Sequence, residues 1–336
     1  MKKICFLLLI SVAFFLYPGE VVILPHLQNP NSILADSKQL YIADGASVLI
    51  YSLKDYGLLK KFGKRGEGPQ EFKASGIGVK IRLSSDQIIV QSMGRLSFFT
   101  KEGNFIEQRD VNPIYANSMQ IGNKYVCFKQ MPNKKGDRLL ISIELRDSNF
   151  KKEKEIYKFQ NPLLGSKYIN PFDLRVCSCY IYKNKIFFDD ENGNINVFND
   201  NGMKLHTIKI DIGKVKANET QKEKFIEQWK GGFLKFSYKE YKDRIKFPDH
   251  LPLIRDFHVT DDRIYVLTHK EKDGKSEMII LNLEGKIQKR TFVPLLNIDM
   301  LIPIFYNYYV IKNNRIFKLV ESTENDRWEL HISKIE

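Results

Sequence analysis

Short apolar strands recur along this chain in sets, and the set nearest the C-terminus is one strand short. In the clearest set, from Asn29 to Lys64, NPNSILADS leads to QLYIADG, then SVLIYSL, then GLLKKFGK. β-branched and aromatic residues fill these strands, and the breaks fall at Asp36-Ser37, Gly45 and Asp55 to Gly57. A unit of this kind cannot bury its apolar faces alone, so several must stack.

Later sets follow the same plan. The second runs GIGVKIRLSSD, QIIVQSM, RLSFFTK and FIEQRDV, turning at Lys101-Glu102-Gly103-Asn104. The third is NSMQIGN, KYVCFKQ, RLLISIELRDS and KEKEIYKF, and the fourth PFDLRVCSCYIYKN, KIFFDDEN, NINVFND and LHTIKID. The fifth is LIRDFHVTDD, RIYVLTHKE, SEMIILNL and KIQKRTFV; the last has only IPIFYNYYVIKNN, RIFKLVES and WELHISKIE. Val21-Val22-Ile23-Leu24 is meanwhile a strand with no set of its own. Lending it to the last set closes a ring and leaves no open edge at the junction. The expected fold is therefore all-β: a six-bladed β-propeller whose last blade is closed by the N-terminal strand. With 336 residues, 43% of them apolar and 12% aromatic, the chain can fill such a core. Residues 20–336 are expected to form one domain.

One stretch breaks the rhythm, about residues 214–250, between the fourth and fifth blades. Asn218 and Gln221 match a capping box, Phe225, Ile226 and Trp229 share a helical face, and Gly231-Gly232 ends the segment. Leu234, Tyr238, Tyr241 and Ile245 follow at spacings of four, three and four, which predicts a second amphipathic helix. Ten basic and five acidic residues lie between Lys214 and Lys246, interleaved with Trp229, Phe233, Phe236, Tyr238 and Tyr241. The aromatics either pack the helices onto the ring or offer a partner surface.

The segment Gly63 to Phe72, GKRGEGPQEF, resembles the G-x-G-P-x-x-F junction of NHL repeats, and NPNSILADSKQLYIADGASVLIYS resembles the inner half of such a blade. The whole chain resembles the exported bacterial six-bladed propeller family related to NHL-repeat proteins, including its long excursion before a blade with Leu251-Pro252. Some NHL-like propellers are zinc-holding lyases, and some six-bladed relatives are calcium-dependent lactonases. That resemblance implies an alternative role as a metal-dependent hydrolase or lyase with its site in the central channel. His26, His206, His250, His258, His269 and His331 show no close pairing for zinc, and Asp44, Asp190 and Glu321 are few oxygens for calcium. No G-x-S-x-G nucleophile motif appears.

Lys2 and Lys3 precede an apolar run from Ile4 to Tyr17, the pattern of a secretory signal within residues 1–19. Export to the periplasm or the extracellular space is expected, with residues 4–17 an anchor if cleavage fails. The formal charge of +13 includes two signal lysines and leaves a basic mature chain. Basic surfaces suit anionic glycans, head groups or nucleic acid, and export argues against the last. Cys127, Cys177 and Cys179 read as small core residues, with a bridge from Cys127 to Cys177 or Cys179 as the alternative.

Aligning the second strands of the blades brings Asp44, Ser92, Gln130, Asp190, His269 and Glu321 to equivalent ends, where they would ring one rim. A one-residue slip would turn any of them to the other face. Asp44 before Gly45, and Asp190 before Asn192-Gly193, equally suit plain turn bonding. The expected role is a non-catalytic binding or scaffolding propeller of the cell envelope, a monomer that needs no cofactor. A protein, peptide or glycan would dock at Asp44, Asp190, His269 and Glu321, or at Trp229, Tyr238 and Tyr241 of the helical insertion.

Overall fold

The computed structural model describes residues 19–68, 70–73, 78–112, 118–135, 139–161, 168–170, 172, 178–190, 192–231, 235–295, 307–322 and 326–335. The apolar run 4–17, Pro69, Cys177, Phe233 and Leu234 lie outside these residues, as does the side chain of Phe236. Alternation of apolar and polar residues produces six antiparallel four-stranded sheets. Blade 1, for example, is Pro30–Ala35, Gln39–Asp44, Ser47–Ser52 and Leu58–Phe62 in spatial order.

The ring closes as the strand count predicts. Gly19–Ile23 pairs antiparallel with Arg327–Lys334 as the outermost strand of blade 6, with Gly19 opposite Ser333 and Val22 opposite Leu330. Leu24 N then donates to Trp328 O at 2.9 Å, and Leu24 and Leu27 bury themselves between blades 6 and 1. A parallel bridge of Ser32 with Asn307 ties the two inner strands at the same seam.

The core lies in the slots between blades. One apolar cluster fills each interface, such as Tyr41, Val48 and Phe72 with Val90 and Phe99 between blades 1 and 2. Phe72 arrives there because Lys64–Arg65 pairs with Glu71–Phe72 and Gly68 N donates to Glu71 Oε2 at 2.8 Å. The junction that ends at Phe72 thus delivers one aromatic plug.

Turns between third and fourth strands repeat a second device. In blades 2 and 5, Gly103 and Gly285 sit at φ +79° and +90°, where L side chains are strained. A Cβ added at Gly103 would lie 2.9 Å from Phe62, and one at Gly285 2.7 Å from Ile208, each on the preceding blade. These turns therefore dock blade to blade.

Between blades 4 and 5 come α1, Glu219–Gly231, and α2, Lys235–Tyr241, followed by a 3-10 turn over Lys242–Arg244. The capping box forms both ways: Asn218 N donates to Gln221 Oε1 at 3.0 Å, and Gln221 N to Asn218 Oδ1 at 2.9 Å. The second helix is shorter than the spacing predicts, because the chain turns extended at Ile245 and bridges to Ile169. Ile169 N donates to Arg244 O at 2.9 Å and Lys246 N to Ile169 O at 3.0 Å, so the insertion is strapped to the connection that enters blade 4.

Candidate functional site

The innermost strand of each blade runs beside the axis. These are Pro30–Ala35, Lys80–Leu83, Ser118–Ile121, Cys179–Tyr182, Asp256–Thr260 and Tyr309–Lys312, in blades 1 to 6. Register sorts their residues into levels. Ser84, Tyr182 and Thr260 each enter the first turn of their blade, and Arg82, Tyr180 and His258 stand two residues earlier. Lys80, Ser178 and Asp256 stand two residues earlier still, about 6.6 Å along the strand. Polar side chains from three blades thus share each level.

Those of blades 4, 5 and 6 bond to one another. Tyr180 OH lies 3.2 Å from His258 Nδ1, and His258 Nε2 lies 3.5 Å from Asp256 Oδ2. The latter is a charged contact only when the imidazole is protonated, and it is too long for a good hydrogen bond. Tyr309 OH donates to Asp256 Oδ2 at 2.6 Å, and Ser178 OH to Asp256 Oδ1 at 3.3 Å. Burial, followed by the charge of Asp256, pushes both phenols well above the ordinary tyrosine range, so they stay neutral hydrogen-bond donors.

Two arginines adjoin this group, Arg82 beside Tyr180 and Arg255 beside Tyr309 and Asp256, each with a lysine next to it. Desolvation lowers the Arg82 guanidinium from its ordinary value and pushes Lys80 down to about 8, with Arg82 as its like-charged neighbour. Burial also lowers Arg255 and Lys318, and Arg255 lies close enough to depress Lys318 further. Arg255 Nη1 donates to Ser276 Oγ at 3.0 Å. Desolvation raises the Cys179 thiol, which leaves it a poor nucleophile. The arrangement can bind and orient a polar, anionic group.

The second-strand residues are placed differently. Counting from Gln39, Gln87 and Lys185, which follow the first turns, Asp44, Ser92 and Asp190 are sixth. Counting likewise from Lys124, Arg263 and Arg315, Gln130, His269 and Glu321 are seventh. Side chains alternate along a strand, so the six do not share one face. Asp44 is buried and accepts from the amides of Gln28 and Asn29. Asp190 accepts from Asn192 N at 2.9 Å, Asn194 N at 3.0 Å and Asn196 Nδ2 at 2.9 Å. His269 is half-buried in an irregular stretch of its strand, and Glu321 is exposed.

In the insertion, Trp229 is fully buried and meets Phe225 edge-on, with Ile169 and Tyr241 completing a small core. Tyr238 is half-buried, with Lys230 Nζ 5.3 Å from its ring centroid. Cys127 is buried with Sγ 3.3 Å from Ser118 Oγ, and both Cys127 and Cys179 are free thiols. Residue reasoning missed Arg82, Tyr180, Asp256 and Tyr309. Their signal was polar residues two apart in first strands, Lys80 with Arg82 and Asp256 with His258.

No family model matches this chain, and no curated protein does. Among solved structures it is similar to a candidate exported protein from Bacteroides fragilis, 11% identical over 95% of this chain and 96% of that one, with a TM-score of 0.52. It is also similar to the propeller domain of Cps50 (Swd1) from Myceliophteria thermophila, 8% identical over 94% and 99% of the two chains, with a TM-score of 0.42. BamB from Moraxella catarrhalis gives 10%, 89% and 71%, with a TM-score of 0.30. Of these three, the first bears on the fold. The chain is a six-bladed β-propeller.

Proposed function

We propose that this protein is a binding propeller of the cell envelope that holds its ligand in the channel. The observation that carries this reading is the polar group of blades 4, 5 and 6, in which two neutral phenols, the Ser178 hydroxyl and the Arg255 charge gather about Asp256, with Arg82 of blade 2 beside Tyr180. Side chains tied in place this way pre-organise a site and limit the entropy lost on binding. The basic n-region, the apolar run 4–17 and the likeness to an exported protein support an envelope address. The insertion leaves blade 4 and rejoins just before Asp256 at the start of the inner strand of blade 5, which supports a place for it beside the mouth nearest that residue. A protein, peptide or glycan that enters by that mouth would meet the helices first.

Capture from envelope extract on the immobilised protein, read by mass spectrometry, tests this. The ligand is expected to be recovered chemically unaltered by wild type and lost by Asp256→Asn and His258→Gln. Equal capture by those variants would move the site off the channel. Conversion of the captured molecule, abolished in His258→Gln, would make the protein an enzyme.

A further inference from the structure

The buried Arg146 has a carboxylate partner: its Nε donates to Glu144 Oε2 at 2.9 Å. Arg82 differs. Its Nε is sealed from solvent and has no hydrogen-bond partner among the described residues, although part of the side chain stays open. Its electrostatic neighbours are Tyr180, Cys179 and Lys80. Tyr180 and Cys179 belong to blade 4 whereas Arg82 belongs to blade 2, so the guanidinium bypasses blade 3 and reaches towards the axis. Lys80, two residues earlier in the same strand, lies on the same face. Lys318 likewise has no carboxylate partner among the described residues, and its charged neighbour is Arg255.

An unpaired buried guanidinium is costly, and a planar fork matches an oxyanion with two parallel hydrogen bonds. We propose that the channel holds an oxyanion, a carboxylate, phosphate or sulfate group, between the Arg82 fork, the Lys80 ammonium and the Tyr180 hydroxyl. This rests on reading the channel as the binding site and names the chemistry it selects. Asp256, engaged by Tyr309 and Ser178, lies one level away, where its carboxylate would accept from a hydroxyl or amide of the same ligand.

The test is titration calorimetry of the folded chain with inorganic phosphate, sulfate and acetate at fixed ionic strength, beside thermal unfolding without anion. At least one anion is expected to bind wild type, and the tightest identifies the group. Arg82→Met is expected to weaken that anion at least tenfold while unfolding at a higher temperature without it, because an uncompensated charge has gone. Arg82→Lys, which keeps the charge and loses the fork, is expected to weaken it as well and covers the case in which the methionine variant does not fold. Affinity unchanged in Arg82→Met, or in Arg82→Lys where the former fails to fold, overturns the inference. So does the failure of all three anions to bind wild type. If none binds while Asp256→Asn still abolishes capture of the envelope ligand, the oxyanion falls and the channel site stands.

Discussion

Lys80 shows how a single side chain reports on the channel. Burial holds its folded pKa at about 8 against an ordinary value of 10.5. Below pH 8 both states carry the proton and the penalty is constant. Between pH 8 and 10.5 the unfolded chain binds more protons than the folded one, so stability rises with pH across that window. The gain expected for Lys80 is on the order of 1–3 kcal/mol. Denaturant unfolding near neutrality and near the upper end of the window, compared between wild type and Lys80→Met, isolates it. Thiols and phenols that titrate nearby cancel in the difference. Parallel curves would show that Lys80 is not held as a desolvated cation. Lys80 was legible in the sequence only as a basic residue in an apolar strand, because what faces an inner strand comes from other blades.

Among the elements, the insertion stands apart from the ring energetically. Phe225, Trp229, Tyr241 and Ile169 form a core of their own, and the helix start is fixed by the Asn218–Gln221 box. Trp229→Ala should cost the insertion about 3–5 kcal/mol by leaving a cavity. Hydrogen exchange is expected to quicken over 219–245 while the blade strands keep their protection. Equal loss of protection in the blades would mean that insertion and ring unfold together. Both the cap and the first helix were readable from local spacing. The shortening of α2 was not, since Ile245 leaves helical geometry to bridge Ile169, a residue far off in sequence.

Closure governs the molecule as a whole. Deleting residues 20–27 strips the outer strand from blade 6 and withdraws Leu24 and Leu27 from the core it shares with blade 1. A loss on the order of 5 kcal/mol is expected from those two side chains alone, before any exposed edge is counted. Denaturant unfolding of the truncated chain would reveal it, and an unchanged midpoint would remove the argument from closure.

By itself the sequence determined the number of blades, the strand that closes them and the position of the helical insertion. Each depends on patterns within a few residues: period-two alternation, turn chemistry, a cap. Tertiary structure decided which polar residues face one another. The rim expected from Asp44, Ser92, Gln130, Asp190, His269 and Glu321 divides between two registers, because a one-residue offset between blades reverses a side chain. The channel group of Arg82, Tyr180, Asp256, His258 and Tyr309 draws on four inner strands whose levels are set by sheet register and ring packing. Proximity of that kind is a property of the closed ring, and no local pattern encodes it.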